Sequence, residues 1–276
     1  MKKLIAAALA ACLLLSGCGV IGFAEDGLNR LLGYEDDDTD AFAPDGEPAQ
    51  RTSAPMPDEP IEDFITASLL RLDAEISVFA YRISTDEVGD LFFGVLGEHP
   101  ELFFVLPDVN WSYFEGSYVT TIEPTYSYGD PDDARRDIEA LMLAVERAAG
   151  EIGEYDTDAE TVAAVNDWLC LNAEYDRTLS HPTAFDLLVL GTGTCEAYTA
   201  AFGLLMNRYG IRWRRVESTA MNHAWNQVRV GGEWLHVDVT WNDPVPDREG
   251  RALQTFLMLD DDEIASGDNP HYDWTA

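Results

Sequence analysis

Two runs of alternating side chains, His223 to Val230 and Glu233 to Trp241, are separated by the pair Gly231-Gly232. Two glycines between strand-like runs supply the positive φ angles of a two-residue hairpin, so this stretch reads as an antiparallel strand pair. The spacing also sets the register, with Trp225 opposite Asp238 and His223 opposite Thr240. Because side chains alternate across a strand, Val228, Val230, Leu235, Val237 and Val239 share one face and read as core. His223 and Asp238 fall on the other face as diagonal neighbours, with Cβ atoms roughly 7 Å apart, a span an imidazole and a carboxylate can close with a hydrogen bond. A three-residue loop or a bulge would break this parity.

A second constraint lies upstream. The apolar run Phe185 to Leu190 leads into Gly191-Thr192-Gly193-Thr194 and then Cys195, after which Ala197, Ala201, Leu204 and Leu205 repeat at helical spacing until Gly210. Cys195 therefore stands at a helix N-terminus, where unpaired amides and the macrodipole favour a thiolate and where amides can hold an oxyanion. A buried structural thiol is the alternative. The order Cys195, His223, Asp238 gives triad logic: thiolate attack on a carbonyl, proton relay by imidazole, tautomer control by the carboxylate. His236 shares the parity of His223, and Asn242 and Asp243 are rival orienters, so spacing alone leaves these open.

The segment Gly191-Thr192-Gly193-Thr194-Cys195-Glu196-Ala197-Tyr198 resembles the cysteine motif of the transglutaminase-like superfamily. His223-Ala224-Trp225-Asn226 and Val237-Asp238-Val239-Thr240-Trp241 resemble its histidine and aspartate motifs, and the likeness extends over about residues 155–276. It implies an α+β fold with a papain-like core: a helix carrying the cysteine packed on an antiparallel sheet carrying His and Asp, preceded by a small α+β domain. It further implies Cys195 as nucleophile, His223 as general base and acid, and Asp238 as orienter, acting on peptide or protein amide bonds without a cofactor. The superfamily holds cross-linking enzymes, thiol peptidases, a deglycosylating amidase and members that have lost the triad, so the fold does not choose a reaction. A non-catalytic module that binds peptides or cell-wall material is the alternative. Tyr175 and Tyr198 suit either oxyanion and substrate support or packing. Trp225, Trp234 and Trp241 suit either an acyl groove or hairpin packing. Cys170, beside Trp168 and Leu169, reads as a packed thiol; a disulfide with Cys195 would silence the site. His99, His181 and His271 show no partner in the sequence, and the scattered His and Cys lack zinc spacing, so no metal is expected.

The N-terminal part reads as an address. Lys2-Lys3 and the apolar stretch Leu4 to Leu15 form a targeting segment too short to span a bilayer. Leu15-Ser16-Gly17-Cys18 resembles a lipobox, which implies cleavage after residue 17 and lipid on Cys18, with the protein held on the membrane outside the cytoplasm. Residues 18–60, rich in Asp, Glu, Pro and Ala, form an acidic tether. Asp36, Asp38, Asp40 and Glu47 fit part of a calcium-loop template, but Ala41 stands where the loop needs glycine. Residues 61–152 read as a small α+β unit and 153–276 as the catalytic domain. A net charge of -34, from 51 acids and 17 bases, argues against nucleic acid as a partner.

Overall fold

The structure, a computed structural model, describes residues 57–114, 118–246 and 250–276. The proposed signal, Cys18, the tether up to residue 56 and the calcium-loop template lie outside these residues. Among the described residues no helix is long and apolar enough to cross a membrane.

The chain divides into two compact units, one running to Leu91 and including Val109–Pro124, the other made of Phe92–Asp108 and Thr125–Ala276. The first contains helix α1 (Ile61–Leu70), which buries Ile65 and Leu69, and the short strand β1 (Ile76–Ser77). Beyond β1 the chain passes into a 3-10 turn, Phe79–Tyr81, with Arg82 in the left-handed region at φ 58. Ser84 and Glu87 make capping contacts ahead of α2 (Val88–Glu98). Strand β2 (Val105–Tyr113) belongs to a sheet of order β1-β3-β2 and pairs with β3 (Val119–Tyr126). Pro107 sits inside β2 without breaking it because β2 is an edge strand, where a missing N–H costs no ladder bond.

In the second unit, Asp130 caps α3 (Pro131–Ile152) by accepting from the Asp132 amide at 2.9 Å, with Pro131 at the first helical position. The helix runs past Gly150 and ends at Gly153, whose φ of 83 suits a residue without Cβ. Its buried face, Leu141, Ala144, Val145 and Ala148, belongs to the same core as α4 (Asp158–Asn172) and α5 (Cys195–Tyr209). The contacts therefore group residues 125–152 with the C-terminal part, on the far side of the boundary expected at 152/153. Between α4 and α5 run β4 (Glu174–Tyr175), a π-helical turn (Asp186–Leu190) and β5 (Thr192–Gly193), with β4 and β5 paired in parallel.

A four-stranded antiparallel sheet follows, in the order β6 (Trp213–Ser218), β7 (His223–Val230), β8 (Glu233–Val237) and β9 (Leu257–Leu259). The β7–β8 pairs, from Asn226↔Val237 to Val230↔Glu233, carry the register set by Gly231-Gly232. Val228 and Val237 join Phe202 and Leu205 of α5 in the core, each such side chain contributing about 1.5–3 kcal/mol on burial. The Asn226 amide also donates to the Thr199 carbonyl at 3.1 Å, tying β7 to α5. The second hairpin strand ends at Val237 rather than Trp241, because Asp238 caps a short helix, α6 (Val239–Asn242), and its amide bonds Phe256. After α7 (Asp261–Ile264), the terminal segment returns to β6 through reciprocal Glu217–Thr275 backbone bonds and lays Trp274 against Trp225 and His236.

Candidate active site

Cys195 is the first residue of α5, half-buried, with Thr194 in extended backbone at the N-cap making no side-chain cap. An uncapped first turn keeps its amides for an anion. The loop behind it is fastened by backbone bonds from Glu174 to Gly191, Asp176 to Gly193 and Thr194 to His181. Asp176 organises that loop: its carboxylate accepts from the Thr178 hydroxyl and amide, the Ser180 and His181 amides, and Nδ1 of His181 at 2.9 Å. These donors, the Thr178 hydroxyl foremost, hold the carboxyl well below the usual range. His181 thus has a partner the sequence did not reveal.

The two loop glycines serve different needs. Gly191 adopts φ 78, a backbone requirement. Gly193 is a matter of space: a Cβ there would lie 2.4 Å from Cβ of Ala197 and 2.8 Å from Cδ1 of Leu187. We expect Gly193→Ala to lower stability by about 1–3 kcal/mol, as overpacking does, and to slow alkylation of Cys195 by displacing the start of α5. Urea unfolding with a midpoint unchanged from wild type would contradict this.

His223 opens β7 and reaches two partners. Its Nε2 donates to Oδ2 of Asp238 at 2.7 Å, and the Cys195 thiol lies near enough to the ring to favour its protonated form. Burial alone would make the imidazole harder to protonate. The bonds to Asp238 and Cys195 outweigh it and push the pKa up to about 9. The ring is sandwiched between Trp225 (5.6 Å, interplanar 21°) and Trp241 (5.3 Å, 22°), which fixes its plane.

Asp238 is 0% exposed, a cost that only paired donors can offset. Oδ1 accepts from the Trp241 amide at 3.0 Å, while Oδ2 accepts from His223 and also from Nε2 of His271 at 2.8 Å. Burial raises its pKa, and the two histidine donors more than reverse that, leaving it below the ordinary carboxylate value. His271 is thus a site residue that sequence reasoning passed over; it stands 33 residues beyond Asp238 with no periodic pattern to link them.

The rival assignments separate cleanly. His236 is buried, accepts from Nε1 of Trp225 at 2.8 Å on Nδ1 and faces Asp261 at 3.0 Å through Nε2, so it supports Trp225 and not the thiol. Burial lowers its pKa, in keeping with a ring nitrogen that accepts. Asn242 bonds Asn166 and the Phe256 amide, and Asp243 accepts from the Tyr198 hydroxyl. Two expected groove residues are corrected. Trp225 and Tyr198 are each 1% exposed, Trp225 because the C-terminal segment covers it and Tyr198 because it clasps α5 to Asp243. Trp241, half-buried, flanks the imidazole. Tyr175 lies close to Cys195: burial first, then the charges of Cys195 and Asp176, raise its phenol pKa. Trp234 lies under Arg214, 4.6 Å from ring centroid to guanidinium. Cys170 is free and buried, its thiol 3.8 Å from the Val239 carbonyl and its pKa pushed far up by burial and then by Asp243 and Asp167. Among the described residues Cys195 has no disulfide partner either.

Ligand atoms of His223, Asp238 and His271 lie within 4.8 Å of one another, near enough for a cation. Nε2 of each imidazole already bonds the carboxylate, so an ion there would have to displace those two hydrogen bonds. Beside α5, a cavity of about 230 Å³ is walled in part by Phe103, Ala184, Thr199, Ala200 and Trp213.

Residues 146–239 match the family model described as the transglutaminase-like superfamily, and this part of the chain is a transglutaminase-like domain. Human kyphoscoliosis peptidase is 29% identical over 116 residues, covering 34% of this chain and 17% of that protein. The mouse protein of the same name is 29% identical over 126 residues, covering 38% and 19%. The chain thus spans less than a fifth of the length of these curated relatives. Among solved structures, one described as a TGase aligns with a TM-score of 0.34 and 11% identity, over 64% of this chain and 53% of its own. One described as a candidate cysteine protease from Cytophaga hutchinsonii aligns at 0.31 and 18% identity, over 52% and 65%.

Proposed function

We propose that the chain is a thiol enzyme that cleaves or exchanges amide bonds of peptides or proteins through an acyl thioester on Cys195. The observation that carries the reading is His223, bonded through Nε2 to Asp238 and close enough to the Cys195 thiol for that thiol to favour its protonated form. In the first half-reaction Sγ attacks the amide carbonyl carbon, and the tetrahedral oxyanion is held by amides at the start of α5, with Tyr175 beside it. The C–N bond breaks as the amine leaves with the proton from His223, and the acyl group remains as a thioester. In the second, His223 takes a proton from water or from an acceptor amine, whose oxygen or nitrogen bonds the acyl carbon as the thiolate departs. Asp238 keeps the Nε2 proton in place and stabilises the imidazolium throughout.

We further propose that the enzyme is lipid-anchored through Cys18 and faces outside the cytoplasm, where its substrates would be extracellular or cell-wall peptides. The Leu15-Ser16-Gly17-Cys18 motif supports this reading.

Incubation with a glutamine-bearing protein and a labelled primary amine tests the chemistry. Label incorporated into protein identifies transfer, and new peptide termini identify hydrolysis. Neither product from wild type, across a broad panel of peptides, would defeat the reading. For the anchor, labelled fatty acid should enter the full chain, and Cys18→Ser should abolish it.

A further inference from the structure

His271 lies beyond residues 146–239, the span matched to the superfamily, yet it ends on the carboxylate at the centre of the site. Its side chain is 0% exposed and is enclosed by Trp241 at 4.3 Å, Trp225 at 4.7 Å and Phe256 at 5.3 Å between ring centroids. Its backbone is fastened too: the His271 amide donates to the Ile264 carbonyl at 2.9 Å, and Thr275 is bridged to Glu217 four residues on. Nδ1 is buried with no hydrogen-bond partner among the described residues, whereas Nε2 meets Oδ2 of Asp238 at 2.8 Å. A ring placed so has one polar task, donating a proton to that oxygen. Oδ2 is also the oxygen that receives the His223 proton, at 2.7 Å.

We propose that His271 is a positioning residue for the triad: by sharing Oδ2 of Asp238 with His223, it orients the carboxylate and limits how tightly that carboxylate holds the His223 proton. A second donor spreads the carboxylate charge over two imidazoles, so His223 binds its proton less tightly than a lone Asp–His pair would allow. A general acid must surrender its proton to the leaving amine, so a partner that restrains Asp238 favours turnover. The inference rests on the reading of Cys195, His223 and Asp238 as the reacting set. The other titratable groups that face this cluster are Cys195 on α5, Tyr175 on β4, and His236 on β8 with Asp261 at its Nε2.

The test is the pH dependence of Cys195 alkylation by iodoacetamide on the full chain, which needs no substrate, set beside turnover of a peptide substrate. His271→Phe keeps a ring and loses the donor. We expect its alkaline inflection to move upward from that of wild type by ~0.5–1 unit. Its kcat should fall ~10-fold or more with KM little changed, as for loss of a hydrogen bond to a charged group. His271→Gln, whose amide nitrogen can reach the same oxygen, should return the inflection to the wild-type position. An inflection in His271→Phe that is unmoved or moves downward overturns the proposal, since mere loosening of the aromatic cage would not strengthen the Asp238–His223 bond. If His271→Phe does not fold, nitrogen NMR of histidine-labelled wild type decides the matter: a His271 ring protonated only on Nδ1 would overturn it. The two readings fail separately. An upward shift in a protein without turnover removes the enzyme assignment and keeps the coupling, whereas turnover with an unmoved inflection removes the coupling alone.

Discussion

Cys195→Ala should lose all turnover, a fall of at least about 10⁴-fold in kcat, because no other group can form the acyl intermediate. The magnitude follows from the way triad members act as a unit, so removing the nucleophile costs about as much as removing the whole set. The fold should be unaffected, since Cys195 is half-buried at a helix start and alanine suits that position sterically. Iodoacetamide gives a parallel readout. Peptide mapping should find the label on Cys195 and not on Cys170, which is 2% exposed and whose thiol burial keeps protonated. Retention of even a tenth of wild-type turnover in Cys195→Ala would exclude a Cys195 thioester. Equal labelling of Cys170 would show that the core around Val239 opens in solution.

Much of this geometry is legible in the chain itself, and what is not has physical reasons. The Gly231-Gly232 turn sets the β7–β8 register, and the parity that turn imposes places His223 and Asp238 on one face. The helix start at Cys195 follows equally from local chemistry, the glycine loop before it and the 3.6-residue repeat after it. The choice of His223 over His236 does not follow. Both point to the same side, and contacts from later in the chain, Asp261 of α7 at His236 Nε2 and Trp274 over its ring, separate their environments. His271 was illegible for the same cause: its partner is far along the chain, and long-range contacts leave no periodic trace. The acyl groove expected at Trp225 failed because the open face of a hairpin is covered by whatever segment follows, and here Trp274 and Ile264 cover it. The unit boundary failed at α3, whose apolar stripe fixes that one face is buried but not against what. The stripe is spent on Val162, Val165 and the α5 core.

Asp238→Asn should cost about 10⁴-fold in kcat while leaving substrate binding nearly intact, the pattern of a triad whose histidine is held in the wrong tautomer. The hydrogen-bond inventory explains why. In wild type all three contacts to the side chain are donations: two imidazole N–H groups to Oδ2 and the Trp241 amide to Oδ1. An asparagine offers one oxygen and one NH₂ group, so one side of it must meet donors with a donor. If the oxygen stays on Trp241, the amide nitrogen faces both rings, and His223 can accept from it only by moving its own proton to Nδ1, toward Cys195. A ring protonated there and uncharged cannot take a proton from the thiol. If the amide turns over, the Trp241 N–H loses its acceptor and the α6 cap with it, at a cost of about 1–3 kcal/mol. The pH profile should move with the sign the environment dictates. Wild-type His223 stays protonated up to about 9, so turnover that needs imidazolium should fall as pH rises through that value. Without the carboxylate, burial becomes the dominant influence on His223, and the alkaline limb of kcat/KM should shift to lower pH. Stability should respond at the other end of the scale. The depressed Asp238 pKa contributes stability that is present above the unfolded carboxyl value of about 3.9 and is lost as pH falls through the folded value, a loss the asparagine variant should not show. Should Asp238→Asn keep kcat within about 10-fold and the same alkaline limb, the carboxylate does not set the His223 tautomer, and the orienting role passes away from Asp238.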